Sequence, residues 1–307
     1  ALLIMIAWLW WRLLLRVVTG EGFLQAPPRT AKVTAPVAIP VRSAAVPVRH
    51  LLLRTMPDGL HQLFVKELKS VWRYPNRRIG LIQGAISPLF IVVAVFFGRG
   101  MPSSLALTPW WGLSLVVYAI FTTWVTSLNM LGWEGRSLPM LLATPIARRQ
   151  IFWGKGLALL LMVAVPLTLF GLILTVGTRS WFGIAGWVAA LGVSLATMGV
   201  TAPASVLFPA PVNLDSTSRQ SPASSGGCGT ALANGFLVPA AIGLINLPML
   251  AIFGAAWWWQ IEPLVAAGAA VALLYGAILF WLGVHQAERL MLTREAEIIE
   301  ATRAADG

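Results

Sequence analysis

Charged residues in this chain are confined to a few short stretches, with long runs between them that carry none. No Asp, Glu, Lys or Arg lies between Arg78 and Arg99, Arg99 and Glu134, Lys155 and Arg179, Arg179 and Asp215, Arg219 and Glu262, or Glu262 and Glu288. A helix needs about 20 apolar residues to cross a hydrocarbon layer about 30 Å thick, and six windows in a row reach that length. The pattern predicts spanning helices at residues 79–98, 105–131, 156–177, 181–207, 232–258 and 263–284. Trp110, Trp111, Trp181 and the Trp257–Trp259 run fall near the ends of these spans. Amphipathic rings prefer that interfacial depth. A Trp run could also belong to a haem-handling loop, but no axial His lies nearby, which favours the aromatic belt.

A different period precedes the spans. Over residues 59–73, Leu60, Leu63, Phe64, Leu68, Val71 and Trp72 fall on one helical face, and Gln62, Lys66, Lys69, Ser70 and Arg73 on the other. A basic polar face opposite an apolar, aromatic one is the pattern of a helix lying in a membrane interface. Pro75 ends it. The expected organisation is an apolar stub or the end of an additional spanning helix at 1–18, broken by Arg12 and Arg16, then a Pro/Ala-rich linker at 19–58. The interfacial amphipathic helix follows at 59–75, a six-helix transmembrane body at 76–285, and a charged tail at 286–307. The stub lacks signal-peptide order, because its basic residues follow the apolar run.

Composition agrees with this all-α, polytopic membrane fold. The chain is 58% hydrophobic and 11% charged, against about 25% charged in soluble domains. The formal charge of +11 raises nucleic-acid binding as a possibility, but the cations sit at the ends of apolar segments, as cytoplasmic loops require. Lys66, Lys69, Arg73, Arg77 and Arg78 oppose Glu67 before the first span. Arg136, Arg148, Arg149 and Lys155 oppose Glu134 after the second. The turns on the other side carry only Arg99, Arg179 and Glu262. The expected setting is a multi-pass protein of the plasma or inner membrane, with its N-terminal side, the 133–155 loop and its C-terminus cytoplasmic. Lipids surround it, and no nucleic-acid partner is expected.

Candidate chemistry is sparse. The six spans hold no ionisable residue, so neither an ion relay nor a carboxylate pair for metal-dependent transfer is expected. No G-x-x-x-x-G-K-[ST] phosphate loop occurs, and Gly226, Gly227 and Gly229 lack the Lys-Ser/Thr that phosphate binding needs. Cys228 is the only cysteine, and His50, His61 and His285 are far apart. No catalytic residue, cofactor or metal site is expected in this chain, so transport would be passive or driven by a partner. The 133–155 loop, about twenty residues, is long for a plain connection. Leu138, Leu141, Leu142, Ile146 and Ile151 alternate there with basic positions, which predicts short interfacial helices broken at Pro139 and Pro145.

That loop contains Glu134, Leu141-Leu142, Thr144-Pro145-Ile146, Arg148-Arg149 and Gly154-Lys155 in order. With the preceding helix centred on Lys66-Glu67-Leu68, it resembles the permease subunits of type-2 ABC exporters over residues 60–284. The resemblance implies a dimer, or a pseudo-dimer of two permease halves, energised by separate ATP-binding cassette subunits that hold ATP and Mg. Glu134, Arg136, Arg148, Arg149 and Lys155 would couple to those subunits, beside an interfacial helix carrying Leu60, Phe64, Lys66, Glu67 and Trp72. Arg148 and Arg149 equally suit lipid headgroup anchors. The uncharged spans, with Asn129 and Asn246, point to a lipid, amphipathic or small-molecule cargo. The polar stretch at 203–229, the extra stub and a start without Met fit the C-terminal half of a longer permease, or a permease with an additional leading helix. The alternative is a non-catalytic subunit of a larger redox or pigment assembly.

Overall fold

The computed structural model describes residues 56–73, 110–178, 181–209, 228–259 and 261–303. The expected stub, almost all of the linker and the expected span at 79–98 lie outside these residues. Every regular element among the described residues is a helix. Helix α1 is Asp58–Arg73 and α2 is Trp110–Ser127. A 3-10 turn, Gly132–Ser137, leads into the short α3, Leu138–Ala143. Then come α4, Arg148–Thr178, and α5, Phe182–Leu207. Helix α6 runs through an α-turn at Cys228–Leu232, a π-turn at Ala233–Leu237 and an α-helix at Val238–Trp259. Helix α7 is Glu262–Arg303.

Among the described residues, four helices are long and apolar enough to cross a membrane: Arg148–Val176, Phe182–Leu207, Gly229–Ala256 and Pro263–Glu300. The protein is therefore a helical membrane protein. The second expected span, 105–131, ends as a helix before its charge-free run does. It ends at Ser127, and residues 128–131 form a turn. There Gly132 N donates to Asn129 Oδ1 at 3.1 Å, a side-chain bond that competes with the helical ladder.

Small residues set how the helices pack. Helix α5 is the hub, 67% buried over its span against 28–39% for the other three. A Cβ on Gly276 would overlap the carbonyl oxygen of Gly192, and one on Gly283 that of Gly199. Both pairs advance seven residues along each helix, so α5 and α7 run parallel in backbone contact, as small residues allow between membrane helices. Helix α2 also runs parallel to α5: Gly112 meets Gly186, Thr123 meets Ser194, and Ser127 meets Thr201. Helix α4 runs the other way, with Gly171 beside Trp187 and Thr175 beside Gly183. So does α6, with Asn246 on Thr197 and Asn234 on Phe208. This alternation places the 132–147 turn, the start of α6 and the end of α7 on one side of the bundle.

The last helix departs from the expected boundary. In place of a span ending at residue 284 and a separate tail, helical structure runs on past residue 284 to a kink at Arg294 (φ −123°, ψ 19°) and resumes beyond it to Arg303. No Pro or Gly follows Gly283 to stop it before Gly307. Val284, Ala287, Met291 and Ile298 are buried along one side and close over Leu138, Leu141, Leu142 and Ile151. The loop leucines, expected on short interfacial helices, are covered by protein. Pro139 also does not break a helix; it occupies the first turn of α3, where its missing N–H costs nothing. Thr144, before Pro145, is extended (ψ 144°) and ends α3.

Candidate functional site

Helix α1 packs on the head of α4, and one glycine permits it. A Cβ on Gly154 would stand 2.8 Å from the Cβ of Leu63, so the two backbones approach closely only because position 154 is bare. Leu63, Glu67, Leu68 and Val71 are buried on this side of α1, while Gln62, Lys66, Lys69 and Arg73 are exposed. Leu60 and Phe64 are half-buried at the edge. The side chain of Trp72 lies outside the described residues.

The close approach sets Glu67, one turn beyond Leu63, opposite Lys155, the residue after Gly154. Lys155 Nζ donates to Glu67 Oε1 at 2.6 Å and to Glu134 Oε1 at 2.5 Å. Lys66 Nζ reaches the other oxygen of Glu134, Oε2, at 2.5 Å, and Ser137 Oγ donates to that same atom at 2.8 Å. Two carboxylates and two ammonium groups thus alternate in one network. The Glu67, Glu134 and Lys155 side chains are 7%, 4% and 2% exposed, and Lys66, at 43%, alone opens to solvent. Charges this buried persist only when paired and hydrogen-bonded. Burial by itself opposes ionisation of Glu134. The Lys155 and Lys66 charges, and the hydrogen bonds from both, outweigh it and hold this carboxyl well below the usual carboxylate range.

The other expected site residues do not join this cluster. Arg148 turns back, donating to the Leu142 carbonyl at 2.7 Å and to both oxygens of Glu295 at 3.1 Å, which ties the α3–α4 corner to the end of α7. Arg149 is exposed, as are Met140, Ala143, Pro145 and Ala147. The side chain of Arg136 lies outside the described residues. The network also gathers residues expected in two separate roles, Glu134 and Lys155 from the loop, and Lys66 and Glu67 from the helix before it. Glu295 and Ser137 were not anticipated. The signal for Glu67 was present: it is an acid at the i+4 position between Leu63 and Val71, inside an otherwise apolar row.

Chemically, the arrangement is a clamp. Its ammonium and carboxylate groups satisfy one another, and no group of three or more His, Cys, Asp or Glu able to hold a metal occurs among the described residues. No family model, curated protein or solved structure matches the chain.

Proposed function

We propose that this chain is the membrane-spanning permease subunit of an ATP-driven exporter of the type-2 ABC kind. In this reading six helices span the membrane, the first at 79–98 and the second built on α2. Helix α1 lies at the cytoplasmic interface, and the 132–147 turn and the end of α7 face the cytoplasm. Separate ATPase subunits bind ATP and Mg, and a second permease copy or half completes the path for a lipid, amphipathic or small-molecule cargo.

The observation that carries the reading is the buried Glu67–Lys155–Glu134–Lys66 network. It fastens three separate pieces of chain, α1, the 3-10 turn and the head of α4, at one end of the bundle. A push on the turn would move the head of a spanning helix, which is what a chain with no energy source of its own needs. Arg149, together with Met140, which is 77% exposed, offers the contact to the ATPase. Arg148 acts from inside by holding α7 against the same corner.

The test is affinity purification of the tagged chain from its native membrane, followed by ATPase assay. A P-loop ATPase chain should co-purify, and Arg149→Glu should lower the ATPase stimulation several-fold while the protein stays folded. Pigment or haem co-purifying without an ATPase would replace this reading with that of an assembly subunit.

A further inference from the structure

Among the described residues, three buried side-chain polar atoms have no hydrogen-bond partner: Trp124 Nε1, Asn234 Oδ1 and Asn246 Oδ1. They share one seam. On α6, Asn234, Val238, Ile242 and Asn246 follow at steps of four and are all buried. Val238 and Ile242 pack with Leu128 of the turn after α2 and Ala204 of α5, and Trp124 lies against the same cluster. Asn246 Nδ2 donates to the Ile242 carbonyl at 2.9 Å and to Thr197 Oγ1 at 3.3 Å, and Asn234 Nδ2 donates to the Phe208 carbonyl at 3.4 Å. A carbonyl can only accept, so the amide nitrogen must face it. Both Oδ1 atoms are thereby turned away from those contacts.

Helix α5 continues the polar line. Ser194, Thr197, Thr201 and Ser205 are fully buried, and Thr123 Oγ1 donates to Ser194 Oγ at 3.0 Å and Thr201 Oγ1 to Ser127 Oγ at 2.9 Å. The far half of α5 is different: Phe182, Ala185, Ala189 and Val193 pack with Val116, Met249 and Phe253. The polar column thus occupies only the half of the bundle nearest the 132–147 turn, and it stops near Asn246. Hydroxyl pairs between membrane helices act as ordinary adhesive, which accounts for the satisfied pairs. It does not account for two amide oxygens and an indole N–H, which hydrocarbon cannot satisfy.

We propose that the α2–α5–α6 seam is a hydrated crevice that opens on the side of the 132–147 turn and reaches the depth of Asn246 and Ser194. Water supplies the donors that the two Oδ1 atoms lack and the acceptor that Trp124 Nε1 lacks. Helix α6 is the movable wall. It is the least buried of the four spans, at 28%. The π-turn at Ala233–Leu237 lies at the mouth of the crevice, and such turns recur at functional positions in helices. The inference rests on the membrane placement of these helices and not on the exporter reading.

The test is cysteine accessibility in sealed membrane vesicles, with a membrane-impermeant cationic thiosulfonate applied to each face in turn. Cys228, the only native cysteine, is first replaced by Ser. Ser205→Cys and Ser194→Cys are near-isosteric probes along the crevice, and Ser127→Cys repeats the measurement from α2. Val193→Cys, beside Ser194 in the chain but in the apolar cluster, is the control at the same depth, and Arg149→Cys marks the face of the turn. Ser205→Cys and Ser194→Cys should react from the Arg149→Cys face about tenfold faster than Val193→Cys. Equal rates for all three, or access only from the opposite face, would overturn the crevice. Reaction of Ser205→Cys alone would overturn its depth.

Discussion

Lys155→Met isolates the contribution of the buried clamp. The substitution keeps much of the side chain's length and apolar stem but removes the ammonium group that bridges Glu67 and Glu134. Removing one partner of a buried ion pair costs about 3–5 kcal/mol, because the remaining charge stays desolvated. Lys155 serves two carboxylates at 2.6 and 2.5 Å and is itself 2% exposed, so the upper part of that range applies. Lys66→Met is the internal comparison. Its head group contacts the same Glu134 but is 43% exposed, and solvent screening confines such pairs to about 0.2–1 kcal/mol. At about 1.4 kcal/mol per factor of ten, the two variants should differ by roughly two orders of magnitude or more in folded-to-unfolded ratio. Adding Glu67→Gln to Lys155→Met removes one of the two carboxylates that Lys155 had paired, and Glu134 retains Lys66. The double variant should therefore recover a substantial part of the loss. The assay is equilibrium unfolding in mixed micelles, followed by Trp fluorescence. A Lys155→Met cost no larger than that of Lys66→Met, or no recovery in the double variant, would refute the buried-clamp argument.

Three further outcomes follow from other parts of the bundle. Gly283→Ala places a methyl group against the Gly199 carbonyl and should destabilise by about 1–3 kcal/mol, measured as a fall in thermal midpoint in detergent; an unchanged midpoint would show that α5 and α7 are not in backbone contact. Because the Glu134 carboxyl is held below its ordinary range, its contribution is fully present above the unfolded-state value and is lost only as pH falls through the lower folded-state one. Stability attributed to Glu134, obtained by comparison with Glu134→Gln, should stay flat from pH 8 to about pH 5, and a loss centred near neutral pH would contradict the pairing. Truncation after Thr293 removes Ile298, 1% exposed, and the Glu295 partner of Arg148. It should cost about 1.5–3 kcal/mol from the apolar side chain alone, whereas Glu295→Ala, removing a partly exposed ion pair, should cost at most about 1 kcal/mol; equal costs would show that the end of α7 is not packed on the loop.

Helix class and most helix positions were legible in the chain because lipid leaves few alternatives: a charge-free run of sufficient length must pair its own backbone groups. The ends were harder. Residues 105–131 carry no charge, yet the second helix stops at Ser127, where Asn129 offers its side chain to the backbone. The extension of α7 was written in Val284, Ala287, Met291 and Ile298, but the intervening charges Glu288, Arg289, Arg294 and Glu295 read as a solvated tail until the loop leucines supplied something to cover. The clamp was half legible. Glu134 and Lys155 stood out as charges flanking spans, whereas Glu67 looked like one charge in a basic helix, because its partner is 88 positions away. Pairing over such a separation depends on Gly154 admitting Leu63, a contact that no local period announces. The polar seam was visible only as Asn246 among apolar neighbours, since its other members come from three helices.

The parallel glycine contacts between α5 and α7 also bear on how the protein is made. As the chain leaves the ribosome, α5 enters the bilayer well before α7, with the whole of α6 synthesised between them. During that interval the ridge at Gly192 and Gly199 lacks its α7 partner, and among the described helices α2, α4 and then α6 hold α5 in place. The hub at α5 is therefore completed only when α7 arrives. A messenger cut short before Gly276 would yield a chain whose preceding segments can insert but whose central ridge stays uncovered, and membrane quality control should degrade such a product faster than a chain that carries α7.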